Sequence, residues 1–263
     1  MRITFITNPH YCNSNCDLCF SKQAPLDWEP VQEMDFAVIE RVVDAFLPLG
    51  LKEIIPSTIG EPFLYSRFED FLLLAKRKNI KVNITTNGTF PNGGLKKWLP
   101  LLLPVLSDIK FSAMRGKIPK SVSEFVDEKL RIENEELRIG EFTVTIQATL
   151  CKGDKLDEIP KGVDRVKINE PWILHSSFSI LHSQLKKCRF LNKEAWVWVD
   201  GTFQVCPNPD ARFGMRTKFP FGDFGNFATQ DPLAIWNGAA YKNFCENYKE
   251  NAICRNCKMR CLS

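Results

Sequence analysis

The sequence predicts an α/β fold, a parallel sheet covered by helices, followed by a small appended domain. Three observations predict it. Six short β-like runs recur over the first two-thirds of the chain, segments of helix length join them, and the alternation stops near Pro171. Strands joined by helical connections pair in parallel through right-handed crossovers. Eight units would close a full barrel; about six leave a partial barrel or an open doubly wound sheet, and both fit. In either case the active site lies at the C-terminal ends of the strands.

Residues 3–7 are β-like, and residues 33–46 are amphipathic, with Phe36, Ile39, Val43 and Phe46 on one helical face. Residues 52–57 form a strand running into a loop. Residues 67–78 place Phe68, Phe71, Leu72 and Ala75 on one side of a second helix. A strand over 80–85 is stopped by Asn87-Gly88, and 107–112 reads as another strand. Ser121-Val122-Ser123-Glu124 is a capping box that opens the next helix. Strands over 142–150 and 163–168 complete the series. From about residue 172 the pattern changes. Ala195-Trp196-Val197-Trp198-Val199 and Thr202-Phe203-Gln204-Val205 flank Asp200-Gly201, a hairpin turn signal. Asp231-Pro232 then starts a helix, Asp as N-cap and Pro at the first position, with Leu233, Trp236 and Ala240 on its face. The domains expected are 1–171 and 172–263.

Composition excludes several classes. Hydrophobic residues are 44% and charged residues 25%, as in ordinary globular chains. The longest apolar run, Trp98 to Leu106, is broken by two prolines and falls far short of the ~20 residues that span a bilayer. No export signal opens the chain, so a cytoplasmic location and no membrane partner are expected. The net charge of +4 is weak and dispersed, which argues against a nucleic-acid partner.

Ten cysteines are the anomaly. In a reducing cytosol a disulfide framework is not expected. They cluster at both ends of the chain, which suggests two metal sites. Cys12, Cys16 and Cys19 follow the first strand at spacings of three residues and then two. Iron–sulfur clusters are held by thiolates at such spacings, whereas structural zinc wants four ligands. Three local thiolates would leave one iron of a four-iron cluster open, which is useful only if something binds there.

These residues resemble the signature of the radical S-adenosylmethionine (SAM) superfamily, with Leu18 as the apolar residue before the third cysteine. Ser57-Thr58-Ile59-Gly60-Glu61-Pro62 after the second strand is similar to the family's Gly-Gly-Glu-Pro-like loop, with Ile59 in place of the first glycine. Thr85-Thr86-Asn87-Gly88 resembles the loop after the third strand, and Ser112 stands where a family serine contacts SAM. The resemblance covers roughly residues 3–170. It implies a partial (β/α)6 TIM-like barrel and a [4Fe–4S] cluster with an open iron, ligated by Cys12, Cys16 and Cys19. It also implies SAM held near Leu18, Gly60, Glu61, Pro62, Thr86, Asn87 and Ser112. In that family SAM is cleaved reductively to a 5′-deoxyadenosyl radical that abstracts hydrogen from substrate.

Cys188, Gly201 and Cys206, followed by the pair Cys254 and Cys257, resemble the auxiliary-cluster domain called SPASM, or its shortened form, twitch. Phe224-Gly225-Asn226 and Ile235-Trp236 match that family as well. The resemblance implies one auxiliary [4Fe–4S] cluster on Cys188, Cys206, Cys254 and Cys257, with Cys261 as an extra candidate. Zinc on the same four sulfurs is the alternative. Cys151 and Cys245 read as small buried hydrophobes. Cys151 also ends a strand, where a thiol can return a hydrogen atom to a substrate radical, and Asp210 is a second catalytic candidate. His10, His175 and His182 read as loop or core residues and Asp200 as a turn residue.

Three activities fit the resemblance. The first is two-electron dehydrogenation of a small molecule with the auxiliary cluster as electron acceptor, as in the aminocyclitol dehydrogenases of antibiotic biosynthesis. The second is peptide or protein modification, disfavoured by a chain that starts at the first strand with no room for a leader-binding domain. The third is epimerisation with Cys151 or Cys245 as hydrogen donor. A flavodoxin or ferredoxin is the expected electron donor. A non-enzymatic binding module with two zinc sites is the remaining alternative, and colour separates it from an iron–sulfur protein.

Overall fold

A computed structural model of the chain describes residues 1–9, 11–19, 33–56, 59–134, 141–169, 188, 190–206, 221–255 and 257. His10, Ser57, Thr58, His175, His182, Asp210 and Cys261 lie outside the described residues. The strands are β1 (Arg2–Phe5), β2 (Glu53–Pro56), β3 (Lys81–Thr86), β4 (Leu106–Met114), β5 (Thr143–Thr149), β6 (Arg165–Asn169), β7 (Glu194–Val197) and β8 (Phe203–Gln204). The helices are α1 (Phe36–Phe46), α2 (Phe68–Arg77), α3 (Gly94–Leu102), α4 (Ser121–Asn134), α5 (Pro232–Trp236), α6 (Ala239–Asn247) and α7 (Ala252–Arg255). The chain packs as two compact units. One is Met1–Ile6, Cys19–Leu51 and Trp172–Ser263; the other is Thr7–Leu18 and Lys52–Pro171.

The second of these units is the α/β body. Its strands run β6-β5-β4-β3-β2, each parallel to its neighbour. The apolar positions of these strands, among them Ile54, Val82, Ile84, Ile109, Phe111, Val144 and Ile146, are fully buried. Each large side chain so buried contributes about 1.5–3 kcal/mol. The four residues assigned to one face of α2 are all buried. Under the loops, Phe63 packs against Phe68, Phe90 and Trp98 at ring distances of 4.8, 5.0 and 5.2 Å. Phe90 meets Phe111 and Phe125 in turn. The loops after β2 and β3, which carry Phe63 and Phe90, are thereby anchored in the core. Phe90 is held at φ +41°, costly for a bulky residue, so packing holds the turn.

Two features of this body were not read from the sequence. Residues 94–102 form α3, although Pro100 sits inside it. Its apolar side buries Trp98, Leu99 and Leu102, and the Trp98 indole N–H donates to the Pro91 carbonyl at 2.8 Å. Burial of that face outweighs the one hydrogen bond that proline removes. The Ser121 hydroxyl, the first residue of the expected capping box, donates to the Gly88 carbonyl at 2.6 Å and so ties α4 to the loop after β3.

In the other unit β1 pairs in parallel with β7, and β7 pairs antiparallel with β8 as the hairpin predicts. Glu194 is buried and gathers the Arg2 guanidinium (2.6 Å), the Trp196 indole N–H (2.8 Å) and the Thr4 hydroxyl (3.4 Å). Asp35 caps α1 by accepting from the Ala37 N–H, and α1 buries Val38, Ile39, Val42, Val43 and Phe46. The placement of Ala240 is corrected. Asn237 closes α5 by donating its N–H to the Leu233 and Ile235 carbonyls, and Ala240 belongs to α6.

Candidate active site at the strand ends

Glu61 is the hub of the α/β body's C-terminal edge. It is 1% exposed. Its carboxylate accepts from the Thr86 hydroxyl (2.7 Å), the Asn87 N–H (2.8 Å) and the Phe63 N–H (3.4 Å). Its own N–H donates to the Tyr11 carbonyl at 2.7 Å, and its carbonyl accepts from the buried Asn8 amide at 2.8 Å. One residue therefore ties together the loops after β1, β2 and β3. Its oxygens are engaged by protein donors, which makes its position structural. Burial pushes its carboxyl up to about 7.

Gly60 stands in the left-handed region at φ +95°. A Cβ there would lie 2.3 Å from the Asn8 carbonyl oxygen and 2.8 Å from that of Tyr11. The backbone before the cysteines thus passes directly over position 60, and no side chain fits between. Pro62 opens a 3-10 turn that Glu61 caps.

Asn87, Asn13 and Thr89 form a closed ring. The Asn87 amide donates to the Asn13 side-chain oxygen (2.8 Å), the Asn13 amide to the Thr89 hydroxyl (2.8 Å), and that hydroxyl to the Asn87 side-chain oxygen (2.7 Å). The Asn87 amide also reaches Cys12 Sγ at 3.8 Å, and the Ser14 N–H donates to the same sulfur at 3.4 Å. Thr86 takes the Gly88 N–H at 3.0 Å, closing the turn. Cys12 is exposed, while Cys16, Leu18, Cys19 and Ser112 are half-buried.

At the end of β5, Cys151 is half-buried, and its N–H donates to the Asp154 carboxylate at 2.7 Å. Arg115, just past β4, pairs with Asp17 of the cysteine loop. Sequence reading missed Asn8, Asn13, Thr89, Asp17 and Arg115. Their shared signal is a polar residue within a few positions of a strand's C-terminal end or of a loop cysteine.

In the other unit the hairpin turn at Gly201 (φ +89°) is clasped by Asn226. Its amide donates to the Asp200 carbonyl (3.0 Å), and its side-chain oxygen accepts from the Ala228 N–H (2.7 Å). Phe203 of the hairpin stacks on Phe227 at 5.2 Å and meets Tyr241 edge-on at 5.0 Å. Cys254, on α7, and Cys257 are each 8% exposed, and Asn251 caps α7 through the Ile253 N–H. The Cys188 N–H donates to the Tyr248 hydroxyl at 3.2 Å. Cys245 is half-buried, not a core residue, and its thiol donates to the Asn192 side-chain oxygen at 3.6 Å. Asn226→Ala is expected to cost about 1–2 kcal/mol, because the bond to the Asp200 carbonyl and the local bond from the Ala228 N–H vanish at once. The melting temperature should fall by several degrees; unchanged melting would refute the clasp.

Residues 9–112 match the model of the radical SAM superfamily, and residues 188–258 match that of the SPASM iron–sulfur cluster-binding domain. The chain carries a radical SAM domain followed by a SPASM domain. Across 99% of its length this radical SAM protein is 23% identical to the tungsten-containing aldehyde ferredoxin oxidoreductase cofactor-modifying protein of Pyrococcus furiosus, of which it covers 88%. BtrN in complex with AdoMet and 2-DOIA is 18% identical, with TM-score 0.59 over 98% of this chain and 92% of BtrN. Streptococcus suis SuiB bound to the precursor peptide SuiA is 12% identical, with TM-score 0.63 over 98% of this chain and 69% of SuiB. The fold is therefore the α/β partial barrel expected from the sequence.

A radical SAM protein with a SPASM domain uses a [4Fe–4S] cluster and SAM, and binds auxiliary iron–sulfur clusters in that domain. The residues present fit such groups. The donors at both ends of the chain are thiols, and Cys12 Sγ already accepts two N–H groups, as cluster sulfurs do. Among the described residues, no three cysteine, histidine or carboxylate side chains are gathered closely enough to hold a single metal ion.

Proposed function

We propose that this radical SAM protein is an oxidoreductase that dehydrogenates a small molecule. The observation that carries this reading is the pairing of a three-cysteine set, Cys12, Cys16 and Cys19, with one C-terminal set, Cys188, Cys206, Cys254 and Cys257. The likeness to BtrN over nearly the whole of both chains supports it. Bound on these residues, the first cluster and SAM supply hydrogen-atom abstraction, and one auxiliary cluster supplies an acceptor for the remaining electron. Removing a hydrogen atom from a carbon that bears a hydroxyl, then a proton and an electron, leaves a carbonyl, so the two-electron oxidation balances.

The chain's own residues hold and orient. The Glu61 hub fixes Gly60 and Pro62 against the loop of Thr86 and Asn87, and with Leu18 and Ser112 these line the place of SAM. Cys261 is a further ligand candidate for the auxiliary cluster. Cys151, at the end of β5, and Asp210 are the candidates for handling substrate hydrogen. Functionally the chain divides into 1–171 for radical formation and 172–263 for the auxiliary cluster. The enzyme works in the cytoplasm with a flavodoxin or ferredoxin as reductant, and binds neither nucleic acid nor membrane.

The second reading is peptide modification, favoured by the likeness to SuiB, solved with a precursor peptide. Anaerobic turnover with SAM, dithionite and, in parallel, a panel of polyols and aminocyclitols or a panel of peptides decides between them. Stoichiometric 5′-deoxyadenosine and carbonyl product is the expected result. Deoxyadenosine coupled only to mass loss in a peptide would replace the first reading with the second.

A further inference from the structure

The loop that carries the three N-terminal cysteines is tethered at both ends. Its first half is held by the Asn13, Asn87 and Thr89 ring. Its second half is held by Asp17, which lies between Cys16 and Cys19. The Asp17 carboxylate receives two nitrogens of one guanidinium, Arg115 Nε at 2.8 Å and Nη2 at 2.8 Å. The third nitrogen, Nη1, reaches Asp154 at 3.4 Å. Asp154 in turn accepts the Cys151 N–H at 2.7 Å and closes a turn onto the Cys151 carbonyl at 3.0 Å.

The base of Arg115 is rigid. Its N–H donates to the Thr149 carbonyl at 2.8 Å. The next residue, Gly116, at φ +76°, lies so close to the 154–157 turn that a Cβ would stand 2.2 Å from the Lys155 carbonyl oxygen. Its carbonyl accepts from the Asp157 N–H at 2.9 Å, and Lys117 pairs with Asp157 at 3.1 Å. Arg115 itself is at φ +52°, a conformation that arginine rarely adopts and asparagine or glycine adopts readily. The backbone thus accepts strain at the point from which the side chain reaches the cysteine loop. An exposed ion pair adds little to stability, so its contribution is directional: it sets where the Cys16–Cys19 arm stands relative to the ends of β4 and β5.

We propose that Arg115 is a positioning residue for the cluster, acting through Asp17 to hold the Cys16–Cys19 arm. The inference rests on the reading that Cys12, Cys16 and Cys19 are the cluster ligands. The test uses the full chain, reconstituted anaerobically. Iron per chain, the rate of iron release to a chelator and the EPR spectrum of the reduced protein with and without SAM are measured. Arg115→Asn keeps the left-handed backbone and removes the guanidinium, and Asp17→Asn removes the partner. Arg115→Lys keeps the charge without the fork.

Arg115→Asn and Asp17→Asn should each speed release of N-terminal iron about 10-fold or more. The double variant should release it no faster than either single, and Arg115→Lys should fall between. Combining Asp17→Arg with Arg115→Asp should restore part of the retention. The SAM-dependent change in the EPR signal should broaden, while the iron that survives Cys12/Cys16/Cys19→Ala keeps its wild-type release rate. Wild-type iron release and EPR spectra in both single variants, or additive losses in the double, would overturn the proposal. A triple cysteine variant that keeps all its iron would instead overturn the ligand reading, and the proposal with it.

Discussion

Gly60→Ala is expected to cost about 4 kcal/mol or more, among the largest effects of a single methyl group. The methyl would enter within 2.3 Å of one backbone oxygen and 2.8 Å of another, and neither can swing aside as a side chain would. Relief requires the segment before Cys12 to lift away from the loop after β2. The melting temperature should fall by about 10 °C or more, and N-terminal iron should be lost with it. Gly153→Ala separates crowding from backbone strain: Gly153 is also left-handed, at φ +92°, but nothing lies within 4 Å of its would-be Cβ. That substitution should cost only about 1 kcal/mol. Equal losses in the two variants would refute the steric argument.

Glu61→Ala should cost about 3 kcal/mol, because three donors, the Thr86 hydroxyl and the Asn87 and Phe63 N–H groups, lose their acceptor at once. The same group predicts a pH dependence. Burial raises its carboxyl from an ordinary 4.5 to about 7, against the pull of those hydrogen bonds. Below 4.5 the folded and unfolded chains are both protonated here, and the group costs nothing. Between 4.5 and about 7 the folded chain holds a proton that the unfolded chain has shed, so stability declines as pH rises. Above about 7 the loss is complete, at about 3 kcal/mol. Glu61→Gln cannot titrate. From pH 5 to pH 8 the wild type should therefore lose about 2–3 kcal/mol relative to Glu61→Gln, read from melting curves of the two proteins. Parallel curves would show that Glu61 titrates in its ordinary range.

The parallel strands and their order along the chain were legible because each is a short apolar run bounded by turn residues, as at Asn87-Gly88. The Asp200-Gly201 hairpin and the Asp231 cap were legible for the same local reason. Helix α3 was not, since Pro100 argues against a helix locally and only burial of Trp98 and Leu102 overrules it. The partnership of β1 with β7 was hidden because parallel pairing across some 190 residues leaves no local trace. At the site, motif spacing located Cys12, Gly60, Glu61 and Asn87. That Glu61 spends its oxygens on protein donors depends on where three loops meet in space, and so does the link between Asp17 and Arg115. Neither can be read from one stretch of chain.

The pairing of β1 with β7 has a consequence for how the chain is made. The first strand is made some 190 residues before its parallel partner, which begins at Glu194. At ordinary translation rates of about 5–20 residues per second, the wait is roughly 10–40 s. The body of Thr7–Leu18 and Lys52–Pro171 has by then been synthesised in full and can fold, while Met1–Ile6 still lacks its β7 partner. During that interval one edge of β1 is an open strand, Arg-Ile-Thr-Phe, able to pair with another nascent chain. Residues Met1–Ile6 are thus made long before they are secured, and the protein's yield in the cell should depend on how quickly the stretch from Glu194 follows.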